Sequence, residues 1–422
     1  MKRSTKEDLL YPPPSKGNIF WIYPWTVMGK DIIILLSNLF NRILTGKYLL
    51  CEQITESDLN NFFPTSKTIF TDSGRSAILL AIKSLGLSKD DEVIISSFNC
   101  PAVIDPIITS GVRPVLIDCN ASGGINIDSL TKAINNKTKA IILTNIYGIL
   151  DDRDKIKNII GERKITIIND LSQTLLVPNL NKGFFINEDL YVFSFGPEKH
   201  IYCFGGGAVF TSNKVMLSKI KSIIPLNTIN DWQLFGIMIN RVKYYFTLFI
   251  YAKLIFFVVF FKKIGLILDF ASSKEFGAST PSEKIFVKGF NPIQKCILSN
   301  KLVLFERFKT KNVQNYEHLK FMVNRIKNIH TLEGKIVNPL YFTIIVENSR
   351  YKLSKFLSLN SIPSVWNYIP LHLLQRYKKF SPGDYPNSNR LWKKVLSIPF
   401  RFPINITDID KITNCLNKYQ LK

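Results

Sequence analysis

The chain is poor in the residues that build metal centres and disulfide frameworks. Its 422 residues include only six cysteines and four histidines. The cysteines stand far apart and form no Cys-x-x-Cys pair, so the spacing indicates neither a structural zinc site nor a set of disulfides. The sequence therefore predicts a protein of a reducing, cytoplasmic compartment, with no metal in its functional site.

Acidic residues are also few. The 55 Lys and Arg residues against 32 Asp and Glu residues give a net charge of +23. An excess of this kind can indicate nucleic acid, anionic lipid or phosphate-bearing substrates. Because the basic residues are scattered along the chain and not clustered, we expect no nucleic-acid partner. The charged first residues, Met1 to Asp8, lead into no apolar run of the kind that a secretory signal needs.

From about residue 66, short β-branched runs alternate with amphipathic helical stretches. This alternation is typical of a parallel sheet covered by crossover helices. Seven runs have the character of strands, and they lie at residues 68–70, 92–96, 114–118, 140–144, 165–169, 190–195 and 207–210. We therefore predict an α/β protein whose large domain is built on a mainly parallel seven-stranded sheet covered by helices.

The remaining segments are arranged around this predicted domain. We expect an N-terminal arm and helix over residues 1–65, the large domain over residues 66–231, an apolar helical insert over residues 232–290 and a smaller C-terminal α/β domain over residues 291–422. The last of these is indicated by a helical pattern that begins at Pro292 and by a strand-like run further along.

The insert contains the most unusual segment of the sequence, residues 244–261, which read YYFTLFIYAKLIFFVVFF. At about 1.5 Å per residue, a helix of this length would span about 27 Å, barely the core of a bilayer. Lys253 at its middle would cost roughly 2.5 to 3.5 kcal/mol. A single crossing would also separate the two halves of the chain, so a plain span is disfavoured. Two interpretations stay open: contact with a membrane surface, aided by basic flanks such as Arg241 and Lys243, and a helix buried in the protein or in a dimer interface.

Polar segments stand at the ends of several predicted strands, where open α/β sheets bind ligands. The first, Thr71 to Ser76, reads TDSGRS and lies between a strand and a helix. The backbone amides and dipole of the helix can hold an anion such as a phosphate, with Gly74 and Arg75 at the helix start. The alternative is an ordinary helix N-cap.

The second segment places Asp170 directly after an apolar strand, with Gln173 close behind it. A carboxylate at this position can keep the ring nitrogen of a pyridine protonated, and the protonated ring accepts electrons from a carbanion. The alternative is again a capping aspartate.

The third segment, Phe193 to His200, ends a strand with Ser194 and offers the amine of Lys199 five residues later. An apolar environment would lower the pKa of such an amine and favour imine formation, although an isolated lysine is usually only a surface residue. A fourth segment, Gly205 to Gly207, permits close backbone approach but forms no dinucleotide-binding fingerprint, because no helix follows it directly.

These segments, in this order, resemble the DegT/DnrJ/StrS aminotransferases, the fold-type-I pyridoxal-phosphate (PLP) enzymes that aminate nucleotide-linked keto sugars. The resemblance extends from about residue 66 to the end of the chain. It rests on Ser73 to Ile107, Thr138 to Gly148, Ile168 to Leu175, Phe193 to Asn213 and Pro370 to Phe400.

The resemblance implies a role for individual residues. Lys199 would be the catalytic lysine that binds PLP as a Schiff base, and Asp170 would face the pyridine nitrogen. Ser194, Gly74 and Arg75 would hold the phosphate. The resemblance also implies an amino-acid donor, usually glutamate, a keto-sugar acceptor and a homodimer.

Further residues are assigned from the same resemblance. Gln173 would lie against the ring or its hydroxyl, and His372 would reach the substrate. Three positions depart from the family pattern. Cys100 stands where many members place an aromatic ring over the cofactor, and Asn145 stands where many have a histidine near the substrate. Asn291 is the candidate for the asparagine that often reaches the partner subunit's phosphate, but the arginine that accompanies it is missing.

The leading interpretation is therefore a PLP-dependent aminotransferase that acts on a nucleotide- or lipid-linked keto sugar in polysaccharide, glycolipid or natural-product biosynthesis. Two alternatives stay open. One is a sugar dehydratase. Family members with that activity replace the lysine with histidine, and His200 stands beside Lys199 in this chain. The other is a membrane-associated scaffold that keeps the fold without turnover. We expect the protein in the cytoplasm. If residues 244–261 contact a membrane surface, that contact would be peripheral and at the inner face of the membrane.

Overall fold

The protein is described by a computed structural model, which covers residues 29–48, 59–186, 189–224, 227–243, 285, 287–400, 404 and 406–420. Ten strands are present in these ranges. They are β1 (Thr68–Thr71), β2 (Glu92–Ser96), β3 (Arg113–Ile117), β4 (Thr138–Leu143), β5 (Thr166–Asp170), β6 (Leu190–Ser194), β7 (Gly207–Phe210), β8 (Ile329–Thr331), β9 (Tyr341–Val346) and β10 (Val395–Pro399).

The first seven strands form one sheet in the order β1-β7-β6-β5-β4-β2-β3. Strands β2 to β6 are parallel, whereas β7 runs antiparallel to both β6 and β1. All seven predicted strands are present, with ends within two residues of those predicted. The predicted α/β class and mainly parallel seven-stranded sheet are confirmed. The central strands are buried along their length because helices cover both faces, which explains why they are runs of isoleucine and valine without alternation.

Helices alternate with these strands and continue beyond them. They are α1 (Gly29–Thr45), α2 (Gly74–Ser84), α3 (Pro101–Thr109), α4 (Ile127–Ala133), α5 (Arg153–Ile160), α6 (Lys214–Ile223), α7 (Pro292–Val323), α8 (Arg350–Leu359), α9 (Pro386–Lys394) and α10 (Ile406–Gln420). Residues 231–243 are helical as well. Short 3₁₀ turns link several of these elements.

A smaller sheet, in the order β10-β9-β8, is antiparallel and has its own hydrophobic core. Helix α7 belongs to both lobes. Its first half, with Ile297 and Leu302, packs in the core beneath the large sheet, and its second half, with Leu319 and Val323, packs in the core of the small sheet. The lobes are further linked where Asp118, after β3, accepts hydrogen bonds from the first backbone amides of α9. The domain boundaries proposed from the sequence remain predictions.

A buried ion pair fixes α1 and α7 to the loop after β6. Lys301 of α7 lies 2.7 Å from Asp31 of α1, and both side chains are only 4% exposed. The Lys301 Nζ also donates to the backbone carbonyl of Tyr202 at 2.6 Å. Because a buried charge is stable only when it is paired, this arrangement ties the loop to two helices.

Within the described ranges, no helix is both long enough and apolar enough to cross a membrane. The apolar run over residues 244–261 lies outside the described residues. Its predicted helix therefore remains a prediction.

Candidate active site

A cavity of about 450 Å³ opens at the carboxyl ends of the parallel strands. Thr144 follows β4, Asp170 ends β5 and Ser194 ends β6, and all three line it. The parallel arrangement places these residues side by side, although the sequence separates them by about 25 residues each. Of the residues singled out from the sequence, those that line the cavity are Gly74, Arg75, Cys100, Asp170, Gln173, Ser194 and Lys199.

One wall of the cavity is the start of helix α2. Ser73 caps this helix by accepting a hydrogen bond from the Ser76 amide at 3.1 Å. Gly74 lies against the end of β6, where a Cβ added to it would be 2.8 Å from the Ser194 Cβ and 2.9 Å from its Oγ. Only glycine fits this contact, so the amides at the helix start and the Ser194 hydroxyl share one small space. Such a site suits the oxygens of a phosphate group.

The glycine segment after the lysine loop comes equally close. A Cβ on Gly207 would lie 2.5 Å from the Ser73 carbonyl oxygen, and Gly206 adopts a φ of +111° that side chains rarely allow. The Gly206 amide donates to the Asp72 carbonyl at 2.7 Å. These contacts hold the start of α2 against β7. They also fix the shape of the anion seat, the small space between the amides at the start of α2 and the Ser194 hydroxyl.

Asp170 supplies the buried acid of the cavity. It is 2% exposed, and its Oδ1 accepts from the Ser172 amide at 2.9 Å. Burial raises the pKa of Asp170, and the positive charge of Lys199 opposes this shift. Asp170 and Lys199 line the same cavity, which is consistent with this effect of the lysine charge.

Lys199 projects from the loop that joins β6 to β7. The loop folds back on β6 through hydrogen bonds between the backbones of Phe195 and Gly206 (2.8 Å) and of Cys203 and Phe195 (3.1 Å). Glu198, next to the lysine, has a left-handed φ of 64°. The lysine therefore lies on a closed, backbone-fixed loop and faces the same cavity as Asp170.

Cys100 caps the start of α3 and lines another side of the cavity. Asn99 positions it, because its Oδ1 accepts from the Cys100 amide and its Nδ2 donates to the Thr144 hydroxyl, both at 2.7 Å. Burial raises the pKa of the Cys100 thiol, so the thiol stays protonated at neutral pH. Cys100 therefore offers a small, uncharged surface, not a nucleophile.

Gln173 connects the cavity to the small lobe. Its Oε1 accepts from the backbone amide of Tyr147 at 2.9 Å, and its Nε2 donates to the hydroxyl of Tyr368 at 2.9 Å. Tyr368 also lines the cavity.

Three sequence candidates do not line this cavity. Asn145 is buried and has a left-handed φ of 46°, and its amide donates to the carbonyls of Leu143 and Asp170. Asn291 caps α7 and donates to Asp231 at 2.8 Å. Its amide is thus used within its own chain, and its contact with a partner subunit's phosphate remains a prediction.

His372 also lies apart from the cavity lining. Its Nδ1 is 2.7 Å from the Ser97 hydroxyl, its Nε2 is 3.2 Å from Asn389 Oδ1, and its ring stacks on Tyr385 at 4.2 Å. Burial lowers the pKa of His372. These contacts join the segment around His372 to Ser97, which follows directly after β2. A substrate contact by His372 remains a prediction.

Three polar residues of the cavity were given no role of their own by sequence reasoning. Asp72 and Tyr368 line it, as does Arg241 from the helical residues 231–243. The sequence interpretation had placed Arg241 in the basic flank of the apolar run, but its guanidinium lies over the Tyr202 ring, 5.8 Å from the ring centre. Tyr368 precedes Ile369-Pro370-Leu371-His372, so its nearness to that segment was the available signal. No local pattern marked Arg241.

His200, which kept the dehydratase alternative open, does not line the cavity either. Its ring contacts Phe305 of α7 at 6.1 Å between ring centres. The neighbouring residue, Lys199, is the one that reaches the cavity. This placement removes the observation that favoured the dehydratase.

The mainly parallel sheet with one reversed strand, the small antiparallel lobe, and a lysine facing a buried aspartate beside an anion seat define a fold-type-I aminotransferase. A sequence profile of the DegT/DnrJ/EryC1/StrS aminotransferase family matches residues 41–230 and 287–417. The chain belongs to this family.

Individual relatives agree with this assignment. The chain is 30% identical over 198 residues to the 3-oxo-glucose-6-phosphate:glutamate aminotransferase of Bacillus subtilis, which covers 46% of this chain and 44% of that protein. It is 31% identical over 183 residues to the UDP-2-acetamido-2-deoxy-3-oxo-D-glucuronate aminotransferase of Pseudomonas aeruginosa, which covers 42% of this chain and 51% of that protein. These matches span about half the length of each relative.

A solved structure shows the same fold over nearly the whole chain. NtdA from Bacillus subtilis, solved with bound cofactor PMP, superposes with a TM-score of 0.69 at 17% sequence identity. The superposition covers 100% of this chain and 90% of that chain.

Proposed function

We propose that this protein is a PLP-dependent aminotransferase that transfers an amino group from an amino acid, with glutamate expected, to a nucleotide- or lipid-linked keto sugar in polysaccharide, glycolipid or natural-product biosynthesis. The observation that carries the proposal is the common cavity of Lys199, Asp170 and the anion seat at Gly74 and Ser194. A lysine amine, a buried carboxylate and a phosphate site are the three protein groups that PLP chemistry requires.

The residues present fit this cofactor. When bound, PLP supplies an electron sink for the negative charge that develops at the donor carbon. Ser194 and the amides at the start of α2 would hold its phosphate, and Asp170 would pair with its ring nitrogen. Gln173 would lie beside the ring, with Cys100 leaving room where an aromatic side chain could otherwise stand.

Lys199 would act on protons as well as bind the cofactor. Its amine lines the cavity together with Asp170, where it would take the proton from the Cα of a bound amino donor. The closed loop around it limits its mobility, which favours a fixed direction for this transfer.

The substrate class is proposed from the relatives, whose names specify phosphorylated or nucleotide-linked oxo-sugars. The cavity is consistent with such anionic substrates, because the basic residues Arg75 and Arg241 line it in addition to Lys199. A cationic lining attracts phosphate-bearing ligands and increases their rate of association.

A half-reaction tests the proposed activity directly. Protein loaded with PLP should convert to the pyridoxamine form when L-glutamate is added, with an equal amount of 2-oxoglutarate released. Lys199→Ala should lose this conversion, while Lys219→Ala, which changes an exposed lysine on α6, should keep it. Conversion that survives in Lys199→Ala would refute the assigned role.

For the location of the protein, we propose the cytoplasm together with contact to a membrane surface. The contact is supported by the apolar run at 244–261 and by exposed apolar side chains on α1, where Ile33, Phe40 and Ile43 are 62%, 66% and 68% exposed. Flotation with phosphatidylglycerol-containing liposomes tests it. Wild type should float and a deletion of residues 244–261 should not; a wild type that stays at the bottom would refute the contact.

A homodimer is also proposed, from the family resemblance. Light scattering coupled to size-exclusion chromatography should give about twice the 48.4 kDa mass of the chain. A mass equal to one chain would refute it.

A further inference from the structure

The cavity contains a phenol whose hydrogen-bonding direction is fixed by its neighbours. The backbone amide of Tyr147 can only donate, and it lies 2.9 Å from Gln173 Oε1. The carbonyl end of the Gln173 side chain must therefore face Tyr147. The other end, the Nε2 amide group, then faces Tyr368.

The orientation of Gln173 determines what Tyr368 can do. An amide NH₂ group can only donate, so the Tyr368 hydroxyl oxygen accepts this hydrogen bond at 2.9 Å. A phenol that accepts one hydrogen bond still has its own proton to donate. Among the described residues, no hydrogen bond uses the Tyr368 proton.

The surroundings of Tyr368 keep that proton in place and direct it to the cavity. Burial raises the pKa of Tyr368 well above its usual value, so the phenol is neutral at physiological pH. The side chain lines the cavity together with Cys100 and Lys199. The residue is half-buried at the edge of this cavity, so a ligand bound there can accept the phenol proton.

We propose that Tyr368 is a ligand-binding residue that donates a hydrogen bond into the cavity, to an oxygen of the bound ligand. This inference rests on the proposed function. The acceptor is an anionic or partly anionic oxygen. It belongs either to PLP, as its phenolic oxygen, or to the amino donor, as a carboxylate oxygen. The small lobe would thereby contribute directly to a site otherwise built by the large lobe.

The test compares wild type, Tyr368→Phe and a matched control, Tyr385→Phe. Phenylalanine keeps the ring, so the fold should be retained, and urea unfolding of the PLP-free proteins checks this. The control removes the hydroxyl of Tyr385, which donates to the Leu116 carbonyl at 3.2 Å; Tyr385 does not line the cavity. The affinity for PLP, the pH dependence of the bound PLP spectrum and the apparent affinity for L-glutamate are then measured.

If the acceptor is the cofactor oxygen, Tyr368→Phe should weaken PLP binding roughly 5- to 10-fold, the effect of one hydrogen bond. The pKa of the bound chromophore should also rise, because the lost donor favoured the deprotonated form. If the acceptor is on the donor, the spectrum should stay unchanged and only the affinity for L-glutamate should fall. Either result supports the inference.

Tyr368→Phe that matches both wild type and Tyr385→Phe in all three measurements would overturn the inference and leave the proposed function intact. A wild-type protein that binds no PLP would instead overturn both. The two failures are therefore distinguishable.

Discussion

The contact between Gly74 and Ser194 makes a sharp test of the anion seat. In Gly74→Ala, the new Cβ would lie 2.8 Å from the Ser194 Cβ, whereas carbon atoms in contact normally stay about 3.5 to 4.0 Å apart. Because both backbones belong to the packed sheet and helix, separating them should lower the free energy of unfolding by about 1 to 3 kcal/mol. The displaced helix start should also weaken PLP binding at least on the order of 10-fold.

The assay combines urea unfolding of the PLP-free protein with a PLP titration followed by absorbance. Gly236→Ala is the control, because nothing lies within 4 Å of its added Cβ, and it should be neutral or stabilising. The double variant Gly74→Ala with Ser194→Gly removes the crowded atoms and should regain much of the lost stability without regaining PLP affinity. Gly74→Ala with wild-type stability and affinity would refute the reasoning.

Three further predictions concern charged groups. Asp170→Asn should retain PLP but slow conversion by L-glutamate on the order of 100-fold, measured by stopped-flow absorbance, since the neutral amide cannot stabilise a protonated ring nitrogen. Burial raises the pKa of Asp151 to about 6, above its unfolded value of about 4. The folded protein therefore holds the carboxyl proton more tightly than the unfolded chain, and the free energy of unfolding should fall as the pH rises from about 4 to about 6. The Asn side chain in Asp151→Asn can still accept from the Ile125 amide. In urea unfolding from pH 4 to pH 7, the free energy of unfolding of this variant should depend less on pH than that of wild type. Lys301→Met should lower the free energy of unfolding by about 3 to 5 kcal/mol by leaving Asp31 buried without its cation, and adding Asp31→Leu should restore most of it.

Each of these predictions has a contradicting result. Wild-type half-reaction rates in Asp170→Asn would place the carboxylate away from the reacting ring. An unchanged pH profile in Asp151→Asn would mean that this carboxyl has the same pKa in the folded and unfolded states. A Lys301→Met variant as stable as wild type would show that the ion pair is not needed to hold α1 and α7 together.

Local sequence patterns predicted the large sheet well. The β-branched runs mark all seven strands, because a parallel sheet covered on both faces needs continuous apolar segments. The direction of β7 depended on more than its own residues. It pairs antiparallel with β6, and its first residue, Gly207, lies against the Ser73 carbonyl, a contact that only the folded structure shows.

The same distinction applies to the site. Residues next to strand ends, such as Asp170 and Ser194, could be found because the topology brings strand ends together. Tyr368 and Arg241 could not be found in this way. Each lies on a segment outside the large sheet, and the position of that segment depends on contacts with residues distant in the sequence. Family resemblance assigned Asn145 and His372 to the substrate; neither lines the cavity, and their contact with a substrate stays a prediction.

The central claim is that Lys199 is the residue that joins the protein covalently to PLP. Borohydride reduction of the PLP-loaded protein, followed by digestion and mass spectrometry, tests it most directly, because reduction traps the bond on whichever lysine carries it. We expect the phosphopyridoxyl mass on the peptide that contains Lys199, and on no other lysine peptide. A label on another lysine, or no label in protein that has bound PLP, would contradict it.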